Sequence, residues 1–201
     1  MTRLYLASAS PRRADLLQQV GVPFQRLDYP GIDEQVRPGE PPQDYVLRMA
    51  EEKARAGWDA LPAARAAALV LGADTTVVSA TGAILGKPAD VSEASAMLRQ
   101  LSGTRHRVLS AVSLCSGSAQ HSCVATTWVQ FRALDEALIA RYVATGEPFD
   151  KAGSYGVQGF GALLVERLDG NFSTVVGLPL LETCALLEAA GVPAWQSPEA
   201  L

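Results

Sequence analysis

The sequence predicts an α/β fold, and three observations carry that reading. A short apolar stretch, Arg3–Ala7, runs directly into a helix start at Ser10-Pro11. A helix-periodic stretch at 43–56 precedes the apolar run Ala68–Ser79. Two long alternating stretches, Arg105–Cys115 and Cys123–Arg132, lie between further helical segments. Strands of period two and helices of period 3.6 therefore alternate along one chain.

The first of these stretches, RLYLASASPRR, organises the rest. Ser10 suits an N-cap and Pro11 the first helical position, where a missing N–H costs nothing. Ala14, Leu17 and Val20 recur at helical spacing, and Gly21 suits the residue after the helix. Free amides and the positive end of a helix dipole leave such a turn. Ser8, Ser10, Arg12 and Arg13 add hydroxyls and guanidiniums, together a set that can hold a polyphosphate. The plainer reading is a capped helix with two solvated arginines. No GxxxxGK[ST] occurs, so this is not a P-loop.

With 201 residues and 48% hydrophobic composition, the chain is long and apolar enough for one domain with a substantial core. A net charge of −4 argues against non-specific nucleic-acid binding but leaves room for a local basic pocket. No signal peptide or membrane-length apolar run is evident. Cys115, Cys123 and Cys184 lack CxxC spacing, which fits a reducing cytoplasm; Cys115 and Cys123 either face each other across a hairpin or are buried thiols.

In order, Phe24–Asp28 is expected as a second strand, followed by a Pro/Gly-rich loop holding Asp33 and Glu34. In the helix 43–56, Val46, Met49, Ala50 and Lys53 share one face. A lysine on an inward stripe either snorkels to water or has an anionic partner. After an Ala-rich linker, Ala68–Ser79 is expected as a buried strand interrupted at Gly72-Ala73-Asp74-Thr75. Asp74 amid that run is either chemical or satisfies a local bulge. Lys87 and Asp90 fall in a tight loop, and Ser92 is expected to cap a helix at 93–101. Arg105–Cys115 and Cys123–Arg132 read as a hairpin, and Asp135 as the cap of a helix through Thr145. His106 and His121 form no zinc-ligand cluster, and no GxSxG elbow is present.

The glycine-rich segment 146–161 reads as a long shaped loop. Phe149, Tyr155 and Phe160 offer stacking surfaces and Gln158 an amide, a set suited to a nucleobase. Ala162–Leu168, the Asp169-Gly170 turn and Ser173–Val176 are expected as a terminal hairpin, followed by a helix to about Ala190. The tail at 192–201 is expected to fray.

SASPRR, the acids of GIDEQ, EKA around Lys53, LGADT, GKPAD, LSGTRHRV, DKAGSYGVQG and VVGLPL occur in that order. The set resembles the Maf family of nucleoside triphosphate pyrophosphatases from residue 3 to about 191. The resemblance implies one Maf-like domain at 1–191 with a tail at 192–201. It implies a fold similar to inosine-triphosphate pyrophosphatases, a long twisted mixed sheet with helices and two lobes around a central cleft. It implies hydrolysis of a nucleoside triphosphate to monophosphate and pyrophosphate with a divalent cation, Mg²⁺ or Mn²⁺, in a cytoplasmic protein that is often a homodimer. Neither nucleic acid nor membrane is an expected partner.

By resemblance, Asp74 is the proton acceptor; Lys53 and Lys87 are further catalytic residues, cations that with Arg12 and Arg13 can neutralise the triphosphate. Ser8, Arg12, Arg13, Thr75 and Gln158 bind substrate, and Glu34, Asp74 and Asp90 hold the metal. A carboxylate next to a cation is a weak base, so Asp74 either takes the proton of the attacking water or orients it. Arg12 after Ser-Pro, Thr75 after Gly-Ala-Asp, and Gln158 before Gly match the dTTP/UTP branch rather than the 7-methyl-GTP branch. A neutral Gln both donates and accepts, as the edge of uracil or thymine requires. The competing readings are a pyrophosphatase for another nucleotide, of the 7-methyl-GTP or inosine type, and a septum-formation-inhibiting interaction protein.

Overall fold

The structure is a computed structural model that describes residues 2–62, 67–117 and 119–196. Part of the Ala-rich linker, 63–66, and the end of the tail, 197–201, lie outside the described residues. The architecture is mixed α/β. A seven-stranded sheet takes the order β2-β1-β3-β5-β6-β7, with β4 paired to β3 off that path.

Strand β1 (Arg3–Ala7) leads into helix α1 (Pro11–Gln19), and β2 (Gln25–Arg26) returns parallel to β1. The second strand is thus shorter than the expected Phe24–Asp28. Helix α2 (Pro42–Ala60) buries Val46, Met49, Ala50 and Lys53, the stripe its periodicity marks. Strand β3 (Ala68–Val78) then pairs parallel with β1, from Arg3 opposite Ala68 to Ala7 opposite Gly72.

The expected interruption of β3 at 72–75 does not occur. Gly72 sits there because α2 packs directly on it. A Cβ at Gly72 would stand 2.4 Å from the Ala54 nitrogen and 2.5 Å from the Ala50 oxygen. The poor strand residue is the cost of close helix–strand approach, not a break in the strand.

A turn at Ser79–Ala83 brings β4 (Ile84–Leu85) back antiparallel to β3. Helix α3 (Val91–Leu101) starts earlier than expected. Its cap is Asp90, not Ser92: Asp90 Oδ1 accepts from the Glu93 N–H at 2.8 Å, and Glu93 Oε2 accepts from the Ala89 N–H at 2.7 Å. The reciprocal bonds satisfy amides at the helix entry, which Ser92 inside the first turn cannot do.

β5 (Arg105–Ser116) and β6 (Ala119–Phe131) are the expected neighbouring long strands. Helix α4 (Glu136–Val143) is capped by Asp135, as its spacing predicts. The segment after it is more ordered than a loop. It forms three 3₁₀ turns, Glu147–Asp150, Ala152–Ser154 and Gly159–Leu164. β7 (Val165–Asp169) pairs antiparallel with β6, while Phe172–Val176 forms a short helix, α5. The expected terminal hairpin is therefore replaced by pairing to β6. Thr127 Oγ1 on β6 donates to the Asn171 carbonyl at 2.9 Å and ties the turn to that strand. Helix α6 (Leu180–Ala189) closes the fold. Trp195 N–H and Gln196 N–H donate to the Val20 and Gly21 carbonyls, so the described part of the tail is held rather than frayed.

Two compact units divide the chain. The first comprises 1–74, 110–125 and 177–201; the second comprises 75–109 and 126–176. In the first, Ala7, Val70 and Leu61 pack with Tyr5, Leu27, Tyr29 and Trp58. In the second, α3 and α4 bury Leu98, Leu101, Ile139 and Tyr142 against Val108, Val129 and Phe131. No helix among the described residues is long and apolar enough to cross a membrane.

Gly72→Ala is expected to cost about 1–3 kcal/mol or more, because the added methyl meets backbone that cannot rotate away. Urea unfolding of the two proteins measures it; an unchanged midpoint contradicts the packing account.

Candidate active site

A charge cluster centred on a buried lysine lies in the first unit, where α2, β3 and the loop before α2 bring three side chains together. Lys53 Nζ is 2.8 Å from Asp74 Oδ1 and 2.8 Å from Glu34 Oε1. Lys53 and Asp74 are buried; Glu34 is exposed. The lysine on the inward stripe therefore has anionic partners, and the aspartate in the apolar strand answers it. Burial pulls the Lys53 ammonium toward a lower pKa. The charge of Asp74 and the hydrogen bonds that Lys53 donates to Asp74 and Glu34 outweigh that, and its pKa stands above the ordinary 10.5.

Arg13 belongs to the same cluster. Its Nη1 donates to Ser8 Oγ at 3.1 Å and its Nε to the Gly177 carbonyl at 2.8 Å. Burial lowers its pKa, opposed chiefly by the charge of Asp74 and then by Tyr29 and Glu34. Ser8 Oγ also accepts from the Ser10 N–H at 3.2 Å. Ser8 Oγ thus accepts twice, and its own proton remains for donation. Ser10 occupies the N-cap position of α1, but its side chain makes no capping bond. The first-turn amides of α1 are accordingly not closed off by the cap. Arg12, next in the chain, is half-buried.

A support for Glu34 escaped the sequence reading. Arg48 Nε and Nη2 bind Glu40 Oε1 and Oε2 at 2.6 and 2.7 Å, and Nη2 also donates to the Gln35 carbonyl at 3.0 Å. Tyr45 O–H donates to the Glu34 carbonyl at 3.0 Å. The loop is thereby fastened to α2 at Glu34 itself and at Gln35 and Glu40 after it. The hydrogen bond from Arg48 holds the Glu40 carboxyl down at about 2. No short-range spacing in the sequence pairs residues 40 and 48.

The remaining expected site residues, Thr75, Lys87, Asp90 and Gln158, belong to the second unit, and Thr75 follows Asp74 directly in β3. Lys87 is exposed in the loop after β4 and makes no hydrogen bond or ion pair among the described residues. Asp90 is the N-cap of α3. Gln158 is exposed and precedes the third 3₁₀ turn. Tyr155 is not a stacking surface. It is buried edge-on against Phe131 and His106, with its hydroxyl 2.8 Å from His106 Nε2. Phe149 and Phe160 remain exposed. Burial lowers the pKa of His106 to about 4, so this histidine is a neutral core group.

A buried lysine bridging two carboxylates, beside an arginine–serine pair at a helix N-terminus, defines a class of site that handles anions. The chain belongs to the Maf family: a model of that family, described as Maf-like protein, matches residues 3–190. The chain is 58% identical over 193 residues to a dTTP/UTP pyrophosphatase of Alcanivorax borkumensis, covering 96% of this chain and 98% of the relative. It is 50% identical over 204 residues to the dTTP/UTP pyrophosphatase of Aromatoleum aromaticum, covering 95% and 97%. It is 51% identical over 188 residues to that of Escherichia coli K12, covering 93% and 92%.

The raised Lys53 pKa has a sign. Its contribution to stability is complete below the ordinary value of 10.5 and is lost as pH rises through the folded-state value. Thermal unfolding followed from about pH 8 to about pH 12 is expected to show an alkaline decline that Lys53→Met lacks. The same decline in both proteins contradicts the assignment.

Proposed function

We propose that this protein is a nucleoside triphosphate pyrophosphatase that cleaves dTTP and UTP between the α- and β-phosphates and releases the monophosphate and pyrophosphate. The observation that carries it is the Glu34–Lys53–Asp74 cluster with Arg13 and Ser8 beside it. The family, and the names of relatives at 50–58% identity over nearly the whole chain, support the same activity and base. The role is removal of pyrimidine triphosphates, canonical or modified, from the nucleotide pool.

Hydrolysis at the α-phosphorus needs charge neutralisation, an aligned water, a proton acceptor and a stabilised leaving group. Arg12 and Arg13 neutralise phosphate oxygens, and the Ser8 hydroxyl donates to one. Asp74 receives the proton of the attacking water. Lys53 aims Asp74 by donating to its Oδ1 at 2.8 Å. Lys87, exposed and without a partner among the described residues, is the cation this reading assigns to the leaving pyrophosphate. Thr75 and Gln158 select the base. The Gln158 amide both donates to a carbonyl of uracil or thymine and accepts from its N3–H.

The implied divalent cation fits the residues present. Glu34 and Asp74 direct hard carboxylate oxygens at one cationic point, Lys53 Nζ. Mg²⁺ typically takes one or two carboxylates, with phosphates and waters completing the shell. Among the described residues no three His, Cys, Asp or Glu side chains gather as a complete protein cage, which suits a cation carried with its substrate. Glu34 and Asp74 are its holders in this reading. Asp90 is a third carboxylate of the resemblance, with Oδ1 engaged in the α3 cap. When bound, Mg²⁺ or Mn²⁺ supplies Lewis-acid neutralisation of the triphosphate. The free thiols Cys115, Cys123 and Cys184 support a cytoplasmic setting. The reading also includes a homodimer, as the resemblance implies.

Pyrophosphate release from a panel of canonical and modified triphosphates, with Mg²⁺, Mn²⁺ or EDTA, tests this directly. Metal-dependent cleavage of UTP and dTTP is the expected outcome; cleavage confined to purines rejects the base assignment, and none at all by folded protein rejects the activity. Gln158→Glu is expected to reduce the UTP-over-GTP preference about ten- to a hundredfold, the effect of a mispaired polar group worth roughly 1–3 kcal/mol. An unchanged preference removes Gln158 from base selection.

A further inference from the structure

Glu147 opens the first 3₁₀ turn after α4 and has no place in the chemistry above. Its carboxylate is nevertheless the hub of the segment that carries Gln158. Glu147 Oε1 accepts from the Tyr142 O–H at 2.9 Å and from the Gly161 N–H at 2.9 Å. Glu147 Oε2 accepts from the Phe160 N–H at 2.8 Å. The Tyr142 hydroxyl in turn accepts from the Gly156 N–H at 3.3 Å. The backbone on both sides of Gln158 is therefore tied to one phenol–carboxylate pair.

The glycines of the segment record how closely it lies on that pair. A Cβ at Gly161 would stand 2.7 Å from the Tyr142 hydroxyl and 2.2 Å from the Gly156 carbonyl oxygen. A Cβ at Gly159, where φ is +71°, would stand 2.5 Å from Glu147 Oε2. Tyr142 is buried, and burial followed by the Glu147 hydrogen bond pushes its pKa up, so it remains a protonated donor. Gln158 is exposed and its amide bonds to no described residue. The amide is carried by a backbone that Glu147 and Tyr142 tie on both sides of Gln158.

We infer that Glu147 is a positioning residue for base selection: its carboxylate, with Tyr142, fixes the 156–161 segment so that the Gln158 amide meets a pyrimidine edge. The inference rests on the reading of Gln158 as the base selector. Glu147 touches no substrate in this account. Bonds from backbone N–H groups to an ionised carboxylate are the stronger kind, which suits a loop that must hold one side chain in one place. Both carboxylate oxygens accept, so an amide in its place offers one acceptor and turns a donor toward a donor.

Steady-state kinetics of Glu147→Gln with UTP and GTP test it. The expected result is a rise of about tenfold in KM for UTP, a much smaller fall in kcat, and about a tenfold loss of the UTP-over-GTP ratio of kcat/KM. Tyr142→Phe, which removes one hydroxyl from the same hub, shifts the ratio in the same direction and serves if Glu147→Gln does not fold. In a Gln158→Ala background, Glu147→Gln is expected to leave the ratio where Gln158→Ala put it. An equal fall for UTP and GTP, or a ratio loss that adds to that of Gln158→Ala, overturns the inference and leaves Glu147 a structural residue. A wild-type preference for UTP that survives both hub variants overturns this inference alone. A wild-type protein that cleaves UTP and GTP alike overturns the reading of Gln158 and this inference with it.

Discussion

One ammonium holds this site together. Lys53 leaves water only because Asp74 and Glu34 meet it, and Asp74 is tolerable in a buried strand only because Lys53 answers it. The pair imposes demands on the fold around it. Helix α2 must lie close enough to β3 for a lysine to reach an aspartate on the strand, and Gly72 allows that approach. The loop carrying Glu34 must return to α2, and Arg48 and Tyr45 on that helix bind its carbonyls and Glu40. Removing one charge while leaving the others is costly in such an arrangement.

Much of this was legible in the sequence, and the reasons are physical. A lysine among Val46, Met49 and Ala50 on an inward stripe, and an aspartate within an apolar strand, each signal a missing partner. The strand-to-helix turn at Ser8–Arg13 is local and carries its own start signals. Local signals misled where tertiary contacts overrode them. Gly72 reads as a strand breaker but serves a helix contact, and Ser173–Val176 has strand composition but lies in α5 while β7 pairs with β6.

Side-chain hubs between distant residues were not legible. Glu40 gives no sign of Arg48, and Glu147 gives none of Gly161, because a carboxylate in a turn is ordinarily solvated. Tyr155 shows the converse. An aromatic in a glycine-rich segment reads as a surface for a base, yet its ring fills a core position against Phe131 and its hydroxyl is matched by His106. The segment is thus anchored by an aromatic beneath and a carboxylate beside, with Gln158 left exposed. In the proposed reading, that anchored segment presents the exposed Gln158 amide to a small polar ring.

The central claim is that Lys53 and Asp74 act as one catalytic unit, and a double-mutant cycle on turnover tests it most directly. Pyrophosphate release by Lys53→Met, Asp74→Asn and the double variant, each shown to be folded, is compared with the parent. The account predicts near-complete loss in Asp74→Asn and a double variant no worse than that single, because removing either partner disables the same step. Losses that multiply, or near-normal turnover in Asp74→Asn, would contradict it.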